Sequence, residues 1–212
     1  MPDGVRSPAQ FCLVMTLVLL TYICQGAWLT TVAVFLAETH PALPAPALAS
    51  AEVGLSYLVS VLLAQWNAPR NFRLSLILIG TGLALLYRFC WAGSLLLIWG
   101  TGWIRPMFLC LVRDTRPAKL TANKAFGLYS VLINVGWMIG GLTTDKIRFS
   151  VGWSWVYSSI ASLMLICWIL SLWLAPRADN YRESNSIGHS STVASVCGLL
   201  FFSGQLARLH TG

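Results

Sequence analysis

Residues 89–112 read FCWAGSLLLIWGTGWIRPMFLCLV, an apolar run in which Arg105 is the only charged residue. An ionisable side chain at bilayer depth costs about 3 kcal/mol on insertion scales, so it normally faces a partner, a bundle interior or a water-filled cavity. The run therefore predicts that Arg105 belongs to a binding site or a transport pathway. The alternative is that Arg105 lies near a membrane end and snorkels, with Pro106 marking a kink.

The composition indicates a membrane protein whose apolar surface faces lipid. The 212 residues are 57% hydrophobic and 10% charged, with a mean hydropathy of +0.70, whereas soluble domains carry about 25% charged residues. The formal net charge is +7, but the basic residues cluster in short segments between apolar runs. That distribution is typical of the positive-inside bias of membrane proteins and argues against a nucleic-acid partner.

Six apolar stretches follow one another along the chain, and a spanning helix needs about 20 residues. They are Phe11–Leu36, Val53–Ala68, Leu74–Tyr87, Ala92–Val112, Ala125–Thr144 and Trp153–Leu174. The second and third are short, and the segment at 67–70 between them reads as a turn. We expect an all-α membrane protein whose residues 1–176 form six transmembrane helices. Residues 177–212 read as a cytoplasmic linker and a short apolar tail.

The lysines and arginines between these stretches predict the orientation. With the N-terminus inside, nine basic residues lie on the inner side and three on the outer side, which places both termini in the cytoplasm. The expected location is the cytoplasmic (plasma) membrane. On the outer side, segment Glu38–Ala51 is rich in proline and alanine, so we expect an irregular connection there.

A planar guanidinium pairs bidentately with carboxylate or phosphate, and such a pair is strong where the dielectric is low. We therefore hypothesise that Arg105 binds an anionic group of a small solute near mid-membrane. The side chains expected to orient that solute lie in the first and fifth spans, since a few polar groups among aromatics are typical of small-molecule sites. They are Tyr22, Gln25, Trp28, Tyr129 and Asn134.

Several residues in and around these spans have a purely structural interpretation as well. Gln25 and Asn134 could hydrogen-bond across helices, a contribution of about 0.6 kcal/mol in membranes. Gly136 and Gly140 fit a close-packing helix face. Asp145 belongs to a charged cluster at the outer end of the fifth span, which is either a solvated cluster or a gate.

The sequence argues against an enzyme. An intramembrane serine protease needs a serine nucleophile and a histidine base within its helices. The three histidines, His40, His189 and His210, lie outside the six stretches. They show no metal-ligand spacing, so we expect no metal or other cofactor.

The order of short motifs resembles the N-terminal half of the major facilitator superfamily. These motifs occupy the fourth helix, the following loop, the start and middle of the fifth helix, and the start of the sixth. They are Gly100–Pro106 (GTGWIRP), Asp114–Pro117 (DTRP), Ala125–Leu128 (AFGL), Gly136–Gly141 (GWMIGG) and Gly152–Tyr157 (GWSWVY). The resemblance covers residues 96–174 and implies one six-helix half of a secondary transporter.

Within that superfamily, GTGWIRP is similar to the G-T-G-x-I-K-P motif of proton-dependent oligopeptide transporters, with Arg105 in place of their lysine. Phe126–Gly136 is close to their fifth-helix signature. The first span lacks their E-x-x-E-R motif, and the segment before Leu74 lacks D-R-x-G-R-R. The resemblance implies transport of a small anionic or zwitterionic solute such as an amino acid or peptide.

Transporters of this kind pair two six-helix halves around a midplane site. This sequence supplies one half, and Thr192–Leu206 is too short for a secure seventh span. A second copy, a separate second half or a truncated product would each account for that. The alternative function is a non-transporting membrane subunit, scaffold or truncated remnant. The expected partners are the lipid bilayer, a small-molecule solute and a second six-helix half or second copy.

Overall fold

A computed structural model describes residues 8–39, 41, 44–63, 69–86 and 88–174 of the chain. The regular structure of this part is all-helical, and the six helices run in sequence with short connections. They are α1 (Pro8–Thr39), α2 (Ala45–Leu63), α3 (Pro69–Leu86), α4 (Cys90–Thr115), α5 (Ala122–Val151) and α6 (Trp153–Ser171). The predicted all-α fold is therefore confirmed, while the predicted linker and tail at 177–212 lie outside the described residues.

Five of these helices are long and apolar enough to cross a membrane. They are α1, α2, α4, α5 and α6, each with an apolar stretch of 18 residues. In α3 the apolar part is the shorter segment Phe72–Leu86. The lengths agree with the composition, because about 20 residues of helix span the hydrocarbon core.

The predicted irregular connection at Glu38–Ala51 is wrong over most of its length. α1 continues to Thr39, and α2 already begins at Ala45. The prolines do not prevent this, because a first-turn residue needs no intrahelical N–H donor, and Leu48 N–H donates to Pro44 O at 3.0 Å. The consequence is that Glu52 lies inside α2, where it is 5% exposed.

Glycines set the closest helix contacts. α1 and α5 run parallel, and a Cβ built on Gly140 would lie 2.1 Å from Ile23 O of α1. A Cβ built on Gly26 of α1 would lie 2.6 Å from Trp137 Cα of α5. Gly102 of α4 meets α2 in the same way. The interpretation of Gly140 as part of a close-packing face is confirmed.

One end of the bundle carries a cross-helix polar contact. Here α1 and α5 end and α2, α4 and α6 begin; we call it the Glu38 end. Glu38 of α1 forms an ion pair with Arg148 of α5 and accepts a hydrogen bond from Trp153 Nε1 of α6 at 2.7 Å. The Arg148 guanidinium also lies 4.8 Å from the Trp153 ring centroid. Three helices are thus joined through one carboxylate.

Glu38→Ala should lower the free energy of unfolding by about 1–2 kcal/mol. An exposed ion pair contributes at most about 1 kcal/mol, and the indole hydrogen bond adds a comparable amount. Denaturant titration in detergent micelles, followed by circular dichroism, measures the change. Asp145→Ala is the matched control, since Asp145 is exposed on the same end and takes part in neither ion pair of the described residues. A loss as large in the control would contradict the contact.

Candidate binding site

Arg105 lies towards the middle of α4 and turns into the bundle. By helix rise it is about 22 Å from Cys90 and about 15 Å from Thr115 along the axis. Its guanidinium carbon lies 3.8 Å from the ring centroid of Tyr57 on α2. Nη1 is buried and has no hydrogen-bond partner among the described residues. This inward contact with Tyr57 argues against snorkelling towards a helix end.

Two tyrosines approach the guanidinium from other helices. The hydroxyls of Tyr22 on α1 and Tyr129 on α5 are hydrogen-bonded to each other at 3.1 Å, and both side chains are buried. Both hydroxyls interact electrostatically with Arg105. The rings meet edge to face, with centroids 6.3 Å apart. The structure thus brings together three of the predicted residues, together with Tyr57.

Tyr57 is the site residue that the sequence reasoning missed. It lies in the second apolar stretch, with no neighbouring charge or motif to mark it. The available signal was the one phenol of that stretch, combined with the need of Arg105 for a partner. A guanidinium over an aromatic face is stabilised by about 0.5–2 kcal/mol, depending on desolvation.

Gln25 and Trp28 extend the site along α1. Gln25 is one turn from Tyr22 and is 2% exposed, and Trp28 is 2% exposed as well. Neither the amide nitrogen and oxygen of Gln25 nor the indole nitrogen of Trp28 has a hydrogen-bond partner in the described part of the chain. Gln25 therefore forms no interhelical hydrogen bond there. A buried polar group left unpaired costs about 1–3 kcal/mol. These atoms are therefore available for hydrogen bonds with a polar ligand or water.

Asn134 does not join the cluster. Its side chain is exposed, and its Nδ2 donates to Ser130 O of its own helix at 2.8 Å. Five residues of helix rotate a side chain by about 140°, so Asn134 points away from the face that presents Tyr129 to α1. Both expected roles for Asn134, orienting the solute beside Arg105 and bonding across helices, are absent from this arrangement.

Asp145 is exposed on α5. It has no part in the two ion pairs of the described residues, whereas Glu38 and Arg148 form the contact between helices at that end. The described residues contain no group of three or more histidine, cysteine, aspartate or glutamate side chains able to hold a metal ion.

No protein-family model matches the chain, and no curated protein sequence matches it significantly. The candidate site is therefore defined by its own geometry. It is a guanidinium held at mid-helix by an aromatic ring, with two linked phenols and an unpaired amide on neighbouring helix faces. Such a group of donors in a low-dielectric interior is suited to an anionic oxygen.

Replacing either tyrosine of the hydroxyl pair by phenylalanine should destabilise the bundle. Tyr129→Phe leaves the Tyr22 hydroxyl buried without its partner, at a cost of about 1–3 kcal/mol, and Tyr22→Phe does the reverse. The double variant should cost less than the sum of the two, because neither hydroxyl is then orphaned. Equilibrium unfolding in mixed micelles measures all four proteins. Strictly additive losses would show that the two hydroxyls do not interact.

Proposed function

We propose that this chain is a six-helix half of a secondary transporter of the major facilitator type. It moves a small anionic or zwitterionic solute, such as an amino acid or peptide, and Arg105 binds the anionic group. The observation that carries the proposal is the buried Nη1 of Arg105, which has no hydrogen-bond partner among the described residues. A cation kept inside an apolar bundle without a carboxylate partner is suited to an anion that arrives from outside.

The neighbouring groups support recognition of a carboxylate or phosphate. The guanidinium fork offers two parallel N–H donors. The Tyr22 and Tyr129 hydroxyls, 3.1 Å apart, can rotate to donate to the same ligand. Gln25, with an unpaired amide, can donate and accept at once. One cation and several neutral donors favour a ligand with a single negative group. The Gln25 carbonyl oxygen is an acceptor for the ammonium group of a zwitterion.

The proposed membrane arrangement has all six helices spanning, including α3. Both termini then lie on the cytoplasmic side of the plasma membrane, in keeping with the nine basic residues assigned there and the three assigned outside. In this orientation the Glu38 end faces outward. Arg105 lies well inside the hydrocarbon layer, since α4 extends about 15 Å or more on either side of it.

A second half is part of the proposal. α5 is the least buried of the five long helices, since only 22% of its apolar 18-residue stretch is buried inside the bundle. Ser130 and Asn134 are exposed on it one turn apart. Polar side chains on a membrane helix normally face other helices or a cavity. A separate six-helix half or a second copy of this chain would cover them.

Reconstitution tests transport directly. Purified protein in liposomes should take up labelled amino acids or dipeptides faster than protein-free liposomes, and esterified analogues without the carboxylate should not compete. Competition by the esters as strong as by the free acids would overturn recognition through Arg105. Binding of the free acids without flux would instead favour the non-transporting subunit, scaffold or remnant.

A further inference from the structure

Glu52 is a buried carboxyl group well separated from Arg105 along the bundle. It lies seven residues into α2 from Ala45, about 10 Å from the Glu38 end, and is 5% exposed. On α4 the nearest polar group to it is Ser94, which is about 16 Å along that helix from Arg105. The second apolar stretch was predicted to begin at Val53, directly after this residue. The continuation of α2 to Ala45 is what buries it.

Among the described residues, the groups that interact with Glu52 are polar and include no cation. The side chain interacts with Ser94 on α4 and with the Trp28 indole on α1. The titratable groups that face it are Cys90 of α4 and Tyr157 of α6. Both are neutral at pH 7, because the ordinary pKa is about 8.5 for a thiol and about 10 for a phenol. Neither ion pair of the described residues includes Glu52.

The hydrogen bonding around the carboxyl is incomplete. Glu52 Oε2, Trp28 Nε1 and Tyr157 Oη are all buried, and none makes a hydrogen bond of good geometry in the described part of the chain. The Trp28 indole still lies close enough to interact with Glu52, and the Thr31 hydroxyl with Tyr157. Three incompletely bonded polar atoms contributed by three helices mark a polar site within an apolar interior. Native structures leave few such atoms, and each one calls for an explanation such as a ligand or a functional role.

The physical chemistry of an isolated carboxyl limits which ligand fits. Burying an ionised carboxylate without a partner costs several kcal/mol, and the group escapes that cost by binding a proton. A proton needs no cavity, and the neutral carboxyl gains one O–H donor. An ionised Glu52 would instead need water, which reaches it only if α1, α2 and α4 separate at the Glu38 end.

We propose that Glu52 is a proton-binding residue, neutral while α1, α2 and α4 are closed around it and ionised when they part at the Glu38 end. One proton from water forms the carboxyl O–H bond on closure, and breaking that bond returns it to water on opening. Protonation at Glu52 does not require transport. Its coupling to solute movement rests on the proposed function.

Infrared spectroscopy of the protein in liposomes tests the site without any transport assay. The wild type should show a protonated carboxyl C=O band at neutral pH, where a glutamate in water is ionised. Glu52→Gln should remove the band, Glu52→Asp should shift it, and Asp145→Asn, at an exposed carboxylate, should leave it unchanged. A wild-type spectrum without the band, or a band that survives in both Glu52 variants, would overturn the proposal.

Coupling is tested separately by the uptake assay with an imposed pH gradient. Wild-type uptake should rise several-fold with an inward proton gradient, while Glu52→Gln should bind the solute normally and not respond to the gradient. An equal response of the two proteins would overturn the coupling. If the band behaves as expected but no solute is moved, the proton site stands and the proposed function fails. If transport occurs without the band, the proposed function stands and the proton site fails.

Discussion

Gly140→Ala is expected to break the packing of α1 on α5 and to cause a large loss of folded protein. The added methyl would lie 2.1 Å from Ile23 O and 2.7 Å from Ala27 N. Both atoms belong to the backbone of α1, so no side-chain rotation relieves the clash and the helices must separate. Overpacking costs about 1–3 kcal/mol and occasionally more. We expect a loss of about 3 kcal/mol or more, measured by denaturant titration in mixed micelles.

Gly127→Ala is the matched control for this variant. It makes the same change on the same helix, where a Cβ would meet nothing within 4 Å. Because alanine is the better helix former by up to about 1 kcal/mol, the control should be unchanged or slightly more stable. Equal stability of the Gly140→Ala and Gly127→Ala proteins would show that α1 and α5 do not approach at Gly140. Size-exclusion chromatography should likewise show less folded protein for Gly140→Ala than for Gly127→Ala.

Arg105→Ala is expected to reduce solute uptake by about 100-fold in kcat/KM. The substitution removes a charge-assisted, bidentate donor, and hydrogen bonds to charged groups contribute about 1.5–3 kcal/mol each. Arg105→Lys should lose less, because the charge remains while the planar fork is lost. Initial rates of uptake of a carboxylate-bearing solute into proteoliposomes, taken over a range of concentrations, separate binding from turnover.

The interpretation of the Arg105 variants requires controls for folding and for general charge effects. Arg105→Ala also removes the contact with Tyr57, worth about 0.5–2 kcal/mol, so its unfolding must be measured in parallel. Arg88→Ala removes an exposed arginine and should leave uptake unchanged. Wild-type rates in the folded Arg105→Ala protein would reject Arg105 as the solute-binding residue.

Several features of the molecule were predictable from the sequence. The apolar stretches predicted six helices, and all six are present. Arg105 as the only charge of residues 89–112 predicted an interior partner, and the guanidinium does face Tyr57. Gly140 was predicted on a close-packing face and lies there. These predictions succeeded because they depend on burial energies, which dominate wherever apolar residues or a lone charge are concentrated.

Other features were not predictable from spacing. Asn134 was expected beside Arg105, but it is exposed and bonded to its own helix, because the rotation of α5 is set by Gly136 and Gly140 packing on α1. The second apolar stretch was predicted to begin at Val53, but α2 already begins at Ala45, and Glu52 within it is buried. A proline-containing segment is compatible with either a connection or the first turn of a helix.

The sequence by itself determined an all-α chain of apolar helices with one arginine deep in an apolar run, because the composition and length of an apolar run alone fix which segments need lipid or protein around them. Only the tertiary structure decided which side chains meet. Tyr57 faces Arg105, Tyr22 pairs with Tyr129, and Glu52 is enclosed, since these contacts depend on helix rotation and register. Those are set by close approach at glycines between segments far apart in the chain, which no local pattern records.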